Sequence, residues 1–155
     1  MRLRLITHLL TQIQSKMKKL SFKVDVYDWD VYLYQLEAKD SKKDITKVLQ
    51  KHNIPVEQNN DVISYMDDDS HDGGWTFCNG GIHQNVVIFE PFSSKSYKIE
   101  VYGHEKRHVE DDILNHLHIR DDDEAAAYLA GYLSKQFTEL SDKTKTYYGK
   151  NKKKR

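Results

Sequence analysis

The chain has 155 residues, enough for one domain with a single modest core, and only two prolines and seven glycines interrupt it. Apolar residues at 38% and charged residues at 31% exclude a fibrous or wholly disordered class, and they describe a globular, mostly regular chain with disorder confined to its ends. The formal charge of zero conceals a division: residues 1–20 carry five bases and residues 143–155 carry seven, with no acid in either, so the body between them holds the other 12 bases against all 24 acids. That division argues against a nucleic-acid-binding face on the fold and leaves only the basic ends to touch phosphate or an acidic partner. The expected organisation is a basic arm over 1–20, one domain over 21–142 and a basic, disordered tail over 143–155.

The apolar stretch 5–10 is broken by Thr7 and His8 and is too short for the core of a signal peptide. No run reaches the length of a membrane span, so a cytoplasmic protein without membrane contacts is expected. Cys78 stands alone, which excludes an intrachain disulfide and a thiolate zinc site and fits a reducing compartment.

In chain order, residues 22–36 alternate β-branched or aromatic with polar residues, the period of two of a half-buried strand, either one strand or a hairpin turning near Asp28. Asp40 and Ser41 precede Ile45, Val48 and Leu49 at helical spacing, which predicts a helix over 41–52 that stops before Pro55. A short strand follows over 62–66, then an acidic loop over 67–74. Residues 75–78 and 86–89 are strands joined through Asn79, Gly80 and Gly81. From Ser94 the period becomes helical: Ile99, Tyr102, Val109, Ile113 and Leu117 form an apolar stripe interrupted by Lys106. A break at 120–123 precedes a last helix over 123–140 with Ala126, Leu129, Ala130, Leu133, Phe137 and Leu140 on its buried face. The fold class is α+β: a small mixed or antiparallel sheet, a backing helix and two C-terminal helices.

The chemistry gathers at His104-Glu105-Lys106-Arg107-His108. In this H-E-x-x-H pattern the two imidazoles lie one helical turn apart, where both reach one metal, and Glu105 is a candidate general base. A chain of this composition produces the pattern by chance about 0.02 times, so the signal is strong. Catalytic zinc (Zn2+) takes three protein ligands and keeps a fourth position for water. Glu124, at the start of the last helix, is the expected third ligand, with Asp111 and Asp112, one turn beyond His108, as rivals on the same helix. Tyr128, one turn after Glu124, is a candidate oxyanion donor, and Asp111 a candidate partner for the free ring nitrogen of a ligating histidine. His116 and His118 suit the C-terminal dipole of their helix better than a second metal site. The acidic run at 67–72 does not match the spacing of an EF-hand loop.

Over residues 74–134 the chain resembles a group of small H-E-x-x-H proteins of tailed phages, described as zincin-like metallopeptidases. The carriers are Gly74-Trp75-Thr76 at a strand entry, the apolar strand 86–89, the motif at 104–108, and the segment from Asp123 and Glu124 through Tyr128, Gly131 and Tyr132 to Leu133. The resemblance implies His104, His108 and Glu124 as zinc ligands, Glu105 as base, and a peptide or protein substrate. A departure is Tyr102-Gly103, where the helices of that group usually carry apolar residues before the motif. The alternative expectation is a phage virion or assembly protein whose zinc site is structural and whose partners are other phage proteins. An intact Glu105 favours the enzyme, because a purely structural site has no need of a base.

Overall fold

The computed structural model describes residues 17–37, 42–55, 57, 58, 60, 61, 64 and 73–144. Of the expected basic arm over 1–20 and tail over 143–155, residues 1–16 and 145–155 lie outside the described residues, as does nearly all of the acidic loop, whereas Lys18, Lys19 and Leu20 belong to a strand and Lys143 to a helix. Two hairpins form one four-stranded sheet: β1 (Lys18–Val24) with β2 (Trp29–Gln35), and β3 (Gly74–Asn79) with β4 (Gln84–Phe89). Both pairs are antiparallel, and β2 runs parallel to β4, so the order is β1-β2-β4-β3 with β1 and β3 at the edges.

The hairpins turn alike. Each closes through one 3-10 turn ending in a left-handed residue, Asp28 at φ 49° and His83 at φ 52°, whose N–H donates to the carbonyl of Asp25 or Gly80 at 3.2 Å. Asp and His are among the residue types enriched in that region of backbone space. The turn expected near Asp28 and the Gly80-Gly81 connection are therefore both present.

Helix α1 (Lys42–Lys51) covers one face of the sheet, packing Ile45, Val48 and Leu49 with Ile54 against Tyr34, Phe77, Val86 and Ile88. Helices α2 (Lys95–His116) and α3 (Asp123–Lys143) cover the other, over Trp29, Val31, Leu33, Val87 and Phe89. Strand alternation divides the residues of β4 between the two cores, which is why the whole strand is buried. This is an α+β fold with helices on both faces of a mixed sheet. Among the described residues no helix is long and apolar enough to cross a membrane.

The helix starts follow local chemistry. Ser94 caps α2 by accepting from the Tyr97 N–H at 3.1 Å, and Asp122 caps α3 by accepting from the Ala125 N–H at 2.9 Å. The buried Lys98 joins the far ends of the two helices, donating to the Ser141 carbonyl at 2.8 Å and to Thr144 Oγ1 at 2.9 Å. Burial holds its ammonium below the ordinary lysine range.

Two expectations are corrected. The buried face of α2 is Lys98, Val101, Tyr102, Glu105, Val109, Glu110, Ile113 and Leu114, whereas Ile99 is 63% exposed. Because α2 packs against both the sheet and α3, its buried arc is wider than an apolar stripe, and the polar members are accepted where they find partners. Glu110, for instance, pairs with Lys106 and with Arg107. In place of the short strand at 62–66, Asn60, Asp61 and Ser64 are helical, and the rest of that stretch lies outside the described residues.

Candidate metal centre

The H-E-x-x-H segment occupies the middle of α2, where that helix lies against the edge strand β3. Gly74 makes the approach close. A Cβ there would stand 2.8 Å from Glu105 Cγ and 2.9 Å from Val101 Cγ1, so a larger residue would force helix and strand apart. His104 and His108 project at the solvent side of this contact, their Nε2 atoms 3.0 Å apart and their rings nearly perpendicular. The two ring nitrogens are thus hydrogen-bonded to each other, one donating and one accepting, at the closeness the i, i+4 spacing predicts.

Glu105 turns the other way. It is 3% exposed, and Thr76 Oγ1 of β3 donates to its Oε2 at 2.6 Å. A pocket of about 410 Å³ collects these groups: His104, Glu105 and His108 line it with Gly74, Thr76, Cys78 and Asp112. The sides of the helix on which the base and the histidines lie therefore meet in one cleft, roofed by β3.

Asp112 belongs to a buried polar chain. Trp29 Nε1, on β2, donates to Asn85 Oδ1 of β4 at 2.8 Å, and Asn85 Nδ2 donates to Asp112 Oδ2 at 2.7 Å and to the Phe77 carbonyl at 3.3 Å. Both Trp29 and Asn85 are fully buried. Burial raises the Asp112 carboxyl above the usual carboxylate range, opposed by the hydrogen bond from Asn85 and the nearby charge of His108. Cys78 faces the same carboxylate, and burial together with Asp112 pushes its thiol up to about 11.

The other expected site residues lie elsewhere. Glu124 is exposed on the first turn of α3, the helix that packs against β1. Tyr128, one turn on, is 51% exposed and stacks on Tyr132, whose hydroxyl donates to the Lys23 carbonyl of β1 at 2.9 Å. The structure thus places Glu124 and Tyr128 at the β1 edge and the histidine pair at the β3 edge. Among the described residues no three His, Cys, Asp or Glu side chains stand close enough together to hold a metal ion. Asp111 does not serve the histidines either: its Oδ1 lies 3.1 Å from Arg107 and 3.6 Å from Arg120. Glu124 instead satisfies the rule for an acid in a helix's first turn.

In the sequence Thr76 stands out only as part of the Gly74-Trp75-Thr76 strand entry, and Asn85 not at all. The only clue to Asn85 is a polar residue directly before the apolar run of β4. Nothing marks Thr76 as the partner of Glu105, because that contact comes from the register of β3 against α2. His116 packs edge-on to Trp29 at 5.4 Å and to His83 at 5.3 Å, a ring cluster away from the pocket. Compared with protein-family models, curated proteins and solved structures, the chain matches none.

Proposed function

We propose that the chain is a zincin-like, zinc-dependent hydrolase of phage type acting on peptide bonds in the cytoplasm of a bacterial host, with His104 and His108 as protein ligands and Glu105 as the base. The observation that carries this reading is the convergence of the two Nε2 atoms, 3.0 Å apart, over a cleft that Glu105 also lines. A tetrahedral zinc site takes its nitrogens from neutral imidazoles; the pair would supply two of its four positions, and among the described residues no third protein ligand stands beside them. When bound there, zinc supplies a Lewis acid that polarises a carbonyl and makes water more acidic.

The rest falls to the chain's own groups. His104 and His108 would each have to keep a ring nitrogen unprotonated toward the cleft. Glu105 accepts a proton from the attacking water and returns it to the departing amine. Thr76 holds one carboxylate oxygen of Glu105, fixing its orientation, and the close approach allowed by Gly74 keeps bulk water from the back of the site.

A second reading is favoured by the burial of Glu105. With 3% exposure and a short hydrogen bond to β3, it also serves as an anchor between helix and strand. In that case the chain is a phage virion or assembly protein, its cation is structural, and its basic ends contact other subunits. One experiment separates the readings: bound zinc is quantified in wild type and His104→Ala, and hydrolysis of a peptide library is assayed in wild type and Glu105→Gln. The enzyme reading expects zinc in wild type only, and activity lost in Glu105→Gln. Zinc in wild type without any hydrolysis supports the structural site, and equal zinc in wild type and His104→Ala removes both.

A further inference from the structure

A glycine inside a helix weakens it unless something needs the missing side chain. Gly103 stands in the middle of α2 on ordinary helical backbone, and no atom lies within 4 Å of the place where its Cβ would be, so neither a turn nor a close approach requires it. It lines instead a groove of about 410 Å³ between α2 and α3, together with Ile99, Tyr102 and Phe137, and with Lys95 and Lys106 at either end of the α2 side. Ile99 is one of four exposed large apolar side chains among the described residues, at 63%. This groove shares no lining residue with the histidine cleft.

We propose that the groove binds a single-chain anionic amphiphile of the fatty-acid class, its carboxylate at Lys95 and its chain laid over Ile99, Gly103 and Phe137 toward Lys106. Charge selects the anion: the body of the chain holds 24 acids against 12 bases, yet the lining includes no acid and its two charged residues are both lysines. Lys106 is paired with Glu110, whereas Lys95 meets no acid among the described residues, which puts the head group at Lys95. Length selects the chain. The two lysines stand about 16 Å apart along the helix, and the surface between them is isoleucine, aromatic ring and lysine stem, a path for an extended apolar chain rather than a compact ring. The volume falls within the range of small-molecule sites, about 300–1,000 Å³. A side chain at position 103 would stand in that path, which gives the glycine its reason. The proposal is independent of the reading of the histidine pair.

The test titrates dodecanoate, below the concentration at which it forms micelles, into the full chain and follows the Ile99 methyl resonances. Dodecyltrimethylammonium, a cation with the same chain, is titrated beside it. Gly103→Leu fills the groove without threatening the fold, because leucine is favoured over glycine in a helix interior. Gly131→Leu makes the same exchange on α3 at a position outside the lining, again with no atom within 4 Å of the added Cβ. Dodecanoate is expected to bind wild type and Gly131→Leu alike and to shift Ile99. In Gly103→Leu it binds at least about tenfold more weakly, the scale of two methylenes kept out of the groove. Lys95→Gln weakens it about two- to fivefold, the scale of one partly exposed charge pair, and the cationic amphiphile binds wild type more weakly than dodecanoate does. No shift of Ile99 in wild type overturns the proposal, as does equal binding by wild type and Gly103→Leu, or by the anionic and cationic chains. Wild type that takes no dodecanoate but self-associates until Gly103→Leu separates the copies overturns it in favour of a second copy of the chain.

Discussion

The two edges of the sheet carry the same kinds of residue to different ends. At the β3 edge, Gly74 lets α2 approach until Glu105 is buried against Thr76, and the histidine pair, Asp112 and Cys78 share one cleft. At the β1 edge, Tyr132 meets the Lys23 carbonyl, Tyr128 lies over Tyr132, and Glu124 and the Lys23–Asp28 pair stand in solvent. Acids and tyrosines at a helix start are therefore insufficient to make a site. What distinguishes the β3 edge is a close helix-to-strand contact backed by buried polar groups that have nowhere else to point.

Glycine substitutions break the comparison most sharply. Gly74→Val lacks room for its side chain, and overpacking of that kind costs about 1–3 kcal/mol. Chemical denaturation registers that loss, and zinc binding falls with it. Gly131, in the interior of α3, has open space where a Cβ would go, so Gly131→Ala stabilises the chain by about 0.5–1 kcal/mol. Equal effects of the two substitutions would erase the proposed difference between the edges.

Removing hydrogen-bonding groups gives the next contrast. Asn85→Ala leaves the Trp29 N–H and the Asp112 carboxylate without their buried partner, a loss of about 1–3 kcal/mol. Tyr132→Phe deletes one partly exposed hydrogen bond, a loss of about 0.5–1.5 kcal/mol. Urea midpoints of the two variants, compared at a constant denaturant slope, check the order.

The Cys78 thiol sharpens the picture through pH. With its pKa raised to about 11, the thiol contributes stability that is complete below the ordinary thiol range and lost as pH rises through about 11. Thiolate absorbance of the folded chain is expected to appear near pH 11, and Cys78→Ser should flatten the alkaline fall in melting temperature. A thiol titrating near its ordinary value would contradict its burial beside Asp112. The smallest effect belongs to Glu124→Ala. It removes only an exposed first-turn acid, worth about 0.3–1 kcal/mol to the helix dipole, and leaves zinc affinity as in wild type.

Most elements are legible in the sequence because their signals are local. The alternation around Asp28 marks the first hairpin, Asn79-Gly80-Gly81 marks the second, and Ser94 and Asp122 cap the two long helices. The meeting of His104 with His108 is local too, fixed by one turn of helix. What one helix does against a strand is not local. The burial of Glu105 depends on Gly74 thirty-one positions earlier, and the hydrogen bond that Asp112 accepts comes from Asn85, itself held by Trp29. Expecting Glu124 beside the histidines required α3 to present its first turn to them, whereas the leucines of α3 and the Tyr132 hydrogen bond place that turn toward β1.

X-ray absorption at the zinc edge of the zinc-loaded protein addresses the histidine pair most directly. Two imidazole nitrogens at about 2.0 Å from the metal are expected in wild type, and one fewer in His104→Ala. Stoichiometric zinc whose spectrum lacks imidazole scattering, or stays the same when His104 is removed, would contradict the account.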